Sequence, residues 1–275
     1  WIRNGLPRGE GTFKPTRQWV EGWNIGTPDH VFELPKYTVA DTVDEEIKEF
    51  DVLTEFPNDR WIVAAEARPG NESVVRSIEA SPLGTYQPGN SHVLYAAGTG
   101  RLLKEGQNVR ALVHYAKAKG LAASDQSKLA VVFARDSMPR KNILEHPMVA
   151  PEFTIPAGTA NFEVQARFEF PADGQIISLM PVMNLRGKDV YYRAIFPDAT
   201  AKPLLSIPAW DPNWKYCYQL KSPLAAPKGT IVQAVAHFDN SDANVRNPDP
   251  AVAVNSGIGG EVFEGWIGYW IAEQE

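Results

Sequence analysis

The chain has 275 residues, 44% of them hydrophobic and 22% charged, which is the makeup of a globular protein with room for two domains of ordinary size. A formal charge of −6 and a pI near 5.5 exclude the basic footprint that a nucleic-acid binder needs. Cys217 is the single cysteine, so an intrachain disulfide, a zinc finger and a redox CxxC pair are all excluded, and no apolar run approaches the roughly 20 residues of a membrane-spanning helix.

In chain order, the first element is an arm, residues 1–23, "WIRNGLPRGEGTFKPTRQWVEGW". It is rich in Pro and Gly, and Trp1, Phe13, Trp19 and Trp23 give it aromatic anchors of the kind favoured at protein interfaces. Such an arm gains order only by lying on another surface, its own protein's or a partner's. It opens on Trp1 with no initiator Met and no signal-like apolar stretch, as expected of a processed protein or of the ordered part of something longer. The stretch from Asp41 to Asp59 follows, with many carboxylates against the single Lys48. It reads as a solvated face that also offers steering charge to a basic neighbour.

From there the chain is a series of short apolar or alternating runs. "RWIVAAEARPGN", "NVRALVHYA" and "KLAVVFARD" come first, then a connection, "RDSMPRKNILEHPMV". "NFEVQARFEFPADG", "VYYRAIFPDA" and "TIVQAVAHFDNSD" come after it. Val, Ile, Tyr, Phe and Trp dominate these runs, and 22 prolines and 21 glycines punctuate them. Many short strands at regular turn spacing predict an all-β sandwich or barrel. A duplication is also legible. "PKYTVADT" from Pro35 resembles "PEFTIPAGT" from Pro151, and "KEGQNVRALVHYAKAKG" resembles "PKGTIVQAVAHFDNSD". Gly106 and Gly229 precede strands that end in His114-Tyr115 and His237-Phe238 at identical spacing. The prediction is two tandem antiparallel β-sandwiches, 24–144 and 145–275, after the arm.

Candidate chemistry is sparse. The five histidines, at positions 30, 92, 114, 146 and 237, form no HxH, HxxxH or HExxH pair. Met180 and Met183 are possible thioether ligands for copper, but alone on an apolar strand they read as core filler. Cys217, flanked by aromatics, reads as a buried strand position. "HFDNSDANVRNPDP" is rich in oxygen donors, yet counting from Asp239 puts Asn244 and Pro250 where an EF-hand needs Gly and Glu. A loop held by Asx turns is the expected outcome.

Several stretches together resemble the bacterial branch of the copper- and ascorbate-dependent monooxygenases, relatives of the peptidylglycine α-hydroxylating enzymes. They are "VEGWNIGTPDHVFELP", "DRWIVAAEARPGNESVV", "LVHY", "LMPVMNLRGK", "AHFDNSDANVRNPDP" and "EGWIGYW", in family order from Val20 onward. The resemblance implies two consecutive jelly-roll-like sandwiches with one copper on each side of a solvent-filled cleft. Matched residue by residue, it also implies that the metal has been lost. The His-His pair of the first copper is replaced by Arg76 and Ser77, and only its third ligand, His114, remains. The two histidines of the second site fall at Val182 and Asn184, and its thioether at Gly265, next to Trp266. One imidazole does not hold a catalytic copper, so the resemblance implies no copper and no enzyme activity. Leu179, Pro181, Met183 and Leu185 are the scaffold left behind, and "RSIEASPLGTYQPGN" closes a loop that is longer in the family. Trp266 is expected to fill space between the domains.

"WIRNGLPRGEG" resembles the tail of a c-type cytochrome domain, although the chain has no CxxCH. This setting implies an extracytoplasmic (periplasmic) location, peripheral to a membrane. The expected function is a non-catalytic scaffold or accessory subunit of a respiratory or photosynthetic electron-transfer complex, with protein subunits as partners. The alternatives are a copper monooxygenase with a rebuilt site and a binder of a small ligand in the old cleft.

Overall fold

The computed structural model describes residues 22–117, 122–135, 139, 141–257 and 260–272. Trp1, Phe13 and Trp19 lie outside the described residues. Within them there is no α-helix, and the strands fall in two groups. The first opens with β1 (His30–Glu33), β2 (Tyr37–Val39), β3 (Glu45–Val52), β4 (Arg60–Arg68), β5 (Val75–Glu79) and β6 (Thr85–Tyr86). It continues with β7 (His92–Leu94), β8 (Thr99–Leu103), β9 (Val109–Ala116), β10 (Ala123–Asp125), β11 (Lys128–Phe133) and β12 (Lys141–Asn142). The second group opens with β13 (Leu144–Val149), β14 (Thr154–Ile155), β15 (Phe162–Glu169), β16 (Gly174–Met183) and β17 (Gly187–Ile195). It ends with β18 (Ala201–Ile207), β19 (Tyr218–Ala226), β20 (Ile231–Phe238), β21 (Val254–Asn255) and β22 (Phe263–Ile271).

The two groups have the same topology. In the first, β1-β11-β4-β8 faces β3-β9-β5-β6; in the second, β13-β22-β16-β19 faces β15-β20-β17-β18. In each, the opening strand pairs within its own sheet with a strand from the end of its group, β1 with β11 and β13 with β22, as in the double Greek key of a jelly roll. The minor pairs correspond as well, β2 with β10 and β14 with β21. Thr38 meets Ser124 at 2.8 Å in one, and Thr154 meets Asn255 at 2.8 Å in the other. The duplication therefore extends to every strand of the two sandwiches except β7 and β12, which only the first group has.

Period-2 patterning builds each core. On β9, Val109, Ala111, Val113 and Tyr115 point inward, while Arg110, Leu112 and His114 face out. Ile62, Ile78, Leu103 and Leu129 are fully buried in the first sandwich, as are Phe170, Tyr192, Phe238 and Phe263 in the second. Each such side chain contributes about 1.5–3 kcal/mol on burial. Gly106 and Gly229 both turn at positive φ, 62° and 82°, just before β9 and β20. Their amides donate to Phe56 and Phe170 at 3.2 and 2.8 Å, so the two turns are braced alike.

The junction has no slack. β12 runs parallel to β8, and Ile143 N–H donates to Gly100 C=O at 2.8 Å. The next residue, Leu144, already pairs with Tyr269 in the second sandwich. The chain thus passes from one sandwich to the other between Ile143 and Leu144.

Candidate functional site

The sandwiches meet along a cleft of about 150 Å³. One wall comes from β5, β6 and the turn after them, with Glu79, Thr85 and Gln87. The other comes from β16 and β22, with Met180, Val182, Glu264 and Trp266. Register explains which side chains reach it. Met180 lies opposite Trp266 and Val182 opposite Glu264 on the cleft face, and the intervening pair, Pro181 and Gly265, turns inward.

Gly265 faces into the second sandwich, away from the cleft. A Cβ there would come within 3.0 Å of Ala234 Cβ and Met148 Cε and within 3.3 Å of the Tyr192 hydroxyl, all inside the second sandwich. The β22 residues that share a face with Val182 are Glu264 and Trp266. Met180 is likewise on the cleft wall and only half-buried, whereas Met183 is fully buried core.

The other positions scatter. Arg76 is exposed at a bulge in β5. Ser77 sits directly across from His114, whose Nε2 is 2.7 Å from Glu45 Oε1. Asn184 lies beyond the end of β16 and donates to Gly260 C=O at 3.0 Å. Of the five positions that the resemblance matches to metal ligands, Val182 alone lines the cleft. Among the described residues no group of three or more His, Cys, Asp or Glu is arranged to hold a metal. His237, the counterpart of His114, is also paired with carboxylates: Nδ1 is 2.6 Å from Asp189 and Nε2 is 3.5 Å from Glu163.

Electrostatics set the character of the cleft. Glu145, from β13, is clamped by the first sandwich: Arg101 Nη1 lies 2.8 Å from its carboxylate and Ser81 Oγ donates to it at 3.1 Å. Arg101 Nη2 also donates to Ser81 Oγ at 2.7 Å. Glu264 accepts from the Trp266 indole N–H at 2.8 Å. Glu79, which lines the cleft, is held above the usual carboxylate range. Burial is the main cause and Glu264 adds to it, while Lys215 and His114 oppose. Cys217 sits just ahead of β19 rather than on a strand, and burial pushes its thiol up to about 11. It is therefore a protonated, inert thiol at neutral pH. Gln87 Oε1 is buried with no hydrogen-bond partner.

Trp23, an expected interface anchor, is engaged by its own domain. The Arg68 guanidinium stacks over its ring at 4.3 Å and also donates to Gly22 C=O. Buried Glu66 accepts from the Asn24 amide at 2.6 Å and the Ile25 amide at 3.3 Å, pinning the chain just after the arm. The loop after His237 is built of Asx turns as expected, with Asp239 Oδ1 accepting from Ser241 N and Oγ at 2.9 and 2.6 Å. Beneath it, Arg186 joins Asn240 at 2.8 Å and Glu261 at 3.4 Å in a buried network. Glu261, the Arg101–Glu145 clamp and the bonds from Glu66 to Asn24 and Ile25 left no signal in the sequence, because those partners are remote in the chain.

No protein-family model matches the chain, and neither does any curated protein. Among solved structures, the major capsid protein P2 of bacteriophage PM2 aligns with 90% of this chain and 100% of its own, at 9% identity and a TM-score of 0.36. The infectious bursal disease virus VP2 subviral particle aligns with 89% of this chain and 72% of its own, at 10% identity and a TM-score of 0.28. Scores this low carry no argument about family or function.

Proposed function

We propose that this chain is a non-catalytic two-domain scaffold derived from the copper- and ascorbate-dependent monooxygenase fold. In this reading it serves as an accessory subunit on the extracytoplasmic face of a membrane-associated electron-transfer complex. The observation that supports it is the donor set between the sandwiches. Val182, at a position the resemblance matches to a metal ligand, forms one wall with Met180 and Trp266, and His114 is engaged by Glu45. A thioether and carboxylates without clustered imidazoles make a poor copper site. The clamp from Arg101 to Glu145 and the strand-to-strand junction at Ile143–Leu144 support a body that presents broad faces in a fixed relation. No helix among the described residues is long and apolar enough to cross a membrane.

The test has two arms. Protein incubated with copper and desalted is expected to retain far less than one copper per chain and to show no ascorbate-dependent oxygen consumption. About one tightly held copper per chain, with turnover, overturns the pseudoenzyme reading in favour of a rebuilt monooxygenase. Co-purification from native membranes is expected to recover the chain with other subunits, and a lone monomer in native extracts overturns the accessory role.

A further inference from the structure

We propose, taking from the scaffold reading only that a membrane is at hand, that one end of the second sandwich dips apolar loop tips into a zwitterionic phospholipid surface. Register brings three connections together there. Gly187 pairs with Phe238 and Val190 with Ile207, so the β16–β17 turn, the β18–β19 connection and the β20–β21 loop leave the same end. Each presents a large apolar side chain to water: Leu185 is 45% exposed, Trp214 55% and Val245 96%, and Val252 adds 48%. Singly exposed apolar residues are ordinary, but several on adjoining loops mark a contact surface. The tips are held in place. Asn244 Nδ2 donates to Leu185 C=O at 3.4 Å, Arg246 Nη1 donates to Trp210 C=O at 3.3 Å, and Arg246 Nη2 lies 3.6 Å from Asp211. Trp214 N–H donates to Asp211 C=O at 2.9 Å, and its ring stacks on Tyr216 with centroids 5.8 Å apart.

Hydrogen bonding favours a lipid layer over a protein as the occupant. In the β20–β21 loop the amides of Ser241, Ala243, Arg246, Asp249 and Ala251 donate to side-chain oxygens of the loop itself, at 2.9 to 3.3 Å. A protein interface draws on hydrogen bonds, roughly one per 100–200 Å², whereas backbone entering lipid has to arrive already satisfied. Charge selects the headgroup. Asp211, Asp239, Asp242 and Asp249 outnumber Lys188 and Arg246 around the tips, which disfavours anionic lipid and any polyanion. A zwitterionic headgroup turns its ammonium outward to those carboxylates, and Trp214 has the amphipathic ring favoured at such an interface. Binding by the isolated chain needs no partner subunit. Its failure leaves the accessory role standing, and failed co-purification leaves this surface standing.

The experiment floats the full chain on a density gradient with vesicles of phosphatidylcholine and phosphatidylethanolamine, with circular dichroism to show that each variant is folded. The parent is expected to float with the vesicles, and replacing half of the lipid with phosphatidylglycerol is expected to reduce the floating fraction. Val245→Asp and Trp214→Ala are each expected to lower the partition coefficient about tenfold. Ile47→Asp, at a 67% exposed apolar position on β3 of the first sandwich, is expected to float as the parent does. A parent that stays at the bottom of the gradient, a preference for phosphatidylglycerol, unchanged partitioning in both tip variants or an equal loss in Ile47→Asp overturns the proposal. So does a parent that ignores vesicles yet loses its native complex in Val245→Asp, which assigns the tips to a protein partner.

Discussion

Gly265 and Trp266 are neighbours in the chain with opposite environments. Gly265→Met puts a long side chain against Ala234 and Met148 inside the second sandwich. Overpacking of this kind costs about 1–3 kcal/mol, so urea denaturation is expected to show a lowered midpoint. Trp266→Met places the same side chain on the cleft wall, and its midpoint is expected to fall less. Glu79 carries a separate prediction. Its folded pKa lies above the ordinary carboxylate range. The native state therefore holds its proton more tightly than the unfolded chain does. The stability it contributes is fully present below the ordinary carboxylate pKa and is lost as pH rises through the raised value. Glu79→Gln is expected to flatten the decline in thermal midpoint over that window, and an unchanged slope counts against burial of this carboxyl in the cleft.

At the level of elements, the repeated turns and the inter-domain clamp are the informative features. Gly106 and Gly229 each hold a positive φ, and a Cβ at Gly106 meets nothing within 4 Å. Gly106→Ala thus reports backbone strain alone, expected at about 1 kcal/mol, with Gly229→Ala close to it if the two turns are the same device. A large difference between them in matched denaturation curves argues against equivalent bracing. Arg101 is 14% exposed and Glu145 36%, so their pair is stronger than an open surface bridge but short of a fully buried one. A double-mutant cycle of Arg101→Ala and Glu145→Ala is expected to return about 1–2 kcal/mol of coupling.

Across the whole molecule, the tight junction and the clamp predict coupled unfolding. The parent chain is expected to show one calorimetric transition, and Arg101→Ala is expected to broaden or split it as the second sandwich is released from the first. Two well-separated transitions in the parent show instead that the junction transmits little.

The all-β class, the tandem sandwiches and the place of the repeat were determined by the sequence itself. Period-2 patterning on runs such as "NVRALVHYA", and the matched Gly106–His114 and Gly229–His237 spacings, are local signals, and each strand carries its own. The Asx turns after Asp239 were legible for the same reason, since their partners lie two residues apart. Tertiary structure alone decided what faces the cleft. Pairing of β16 with β22 sets Val182 beside Glu264 and Trp266, and a shift of one residue would have put Gly265 there instead. It also brought together Glu79 with Glu264, Arg101 with Glu145 and Arg186 with Glu261. The residues of each pair stand far apart in the chain, so periodicity carries no trace of them. Charge and hydrogen-bonding pairs of this kind exist only once two sheets, or two domains, have been packed face to face.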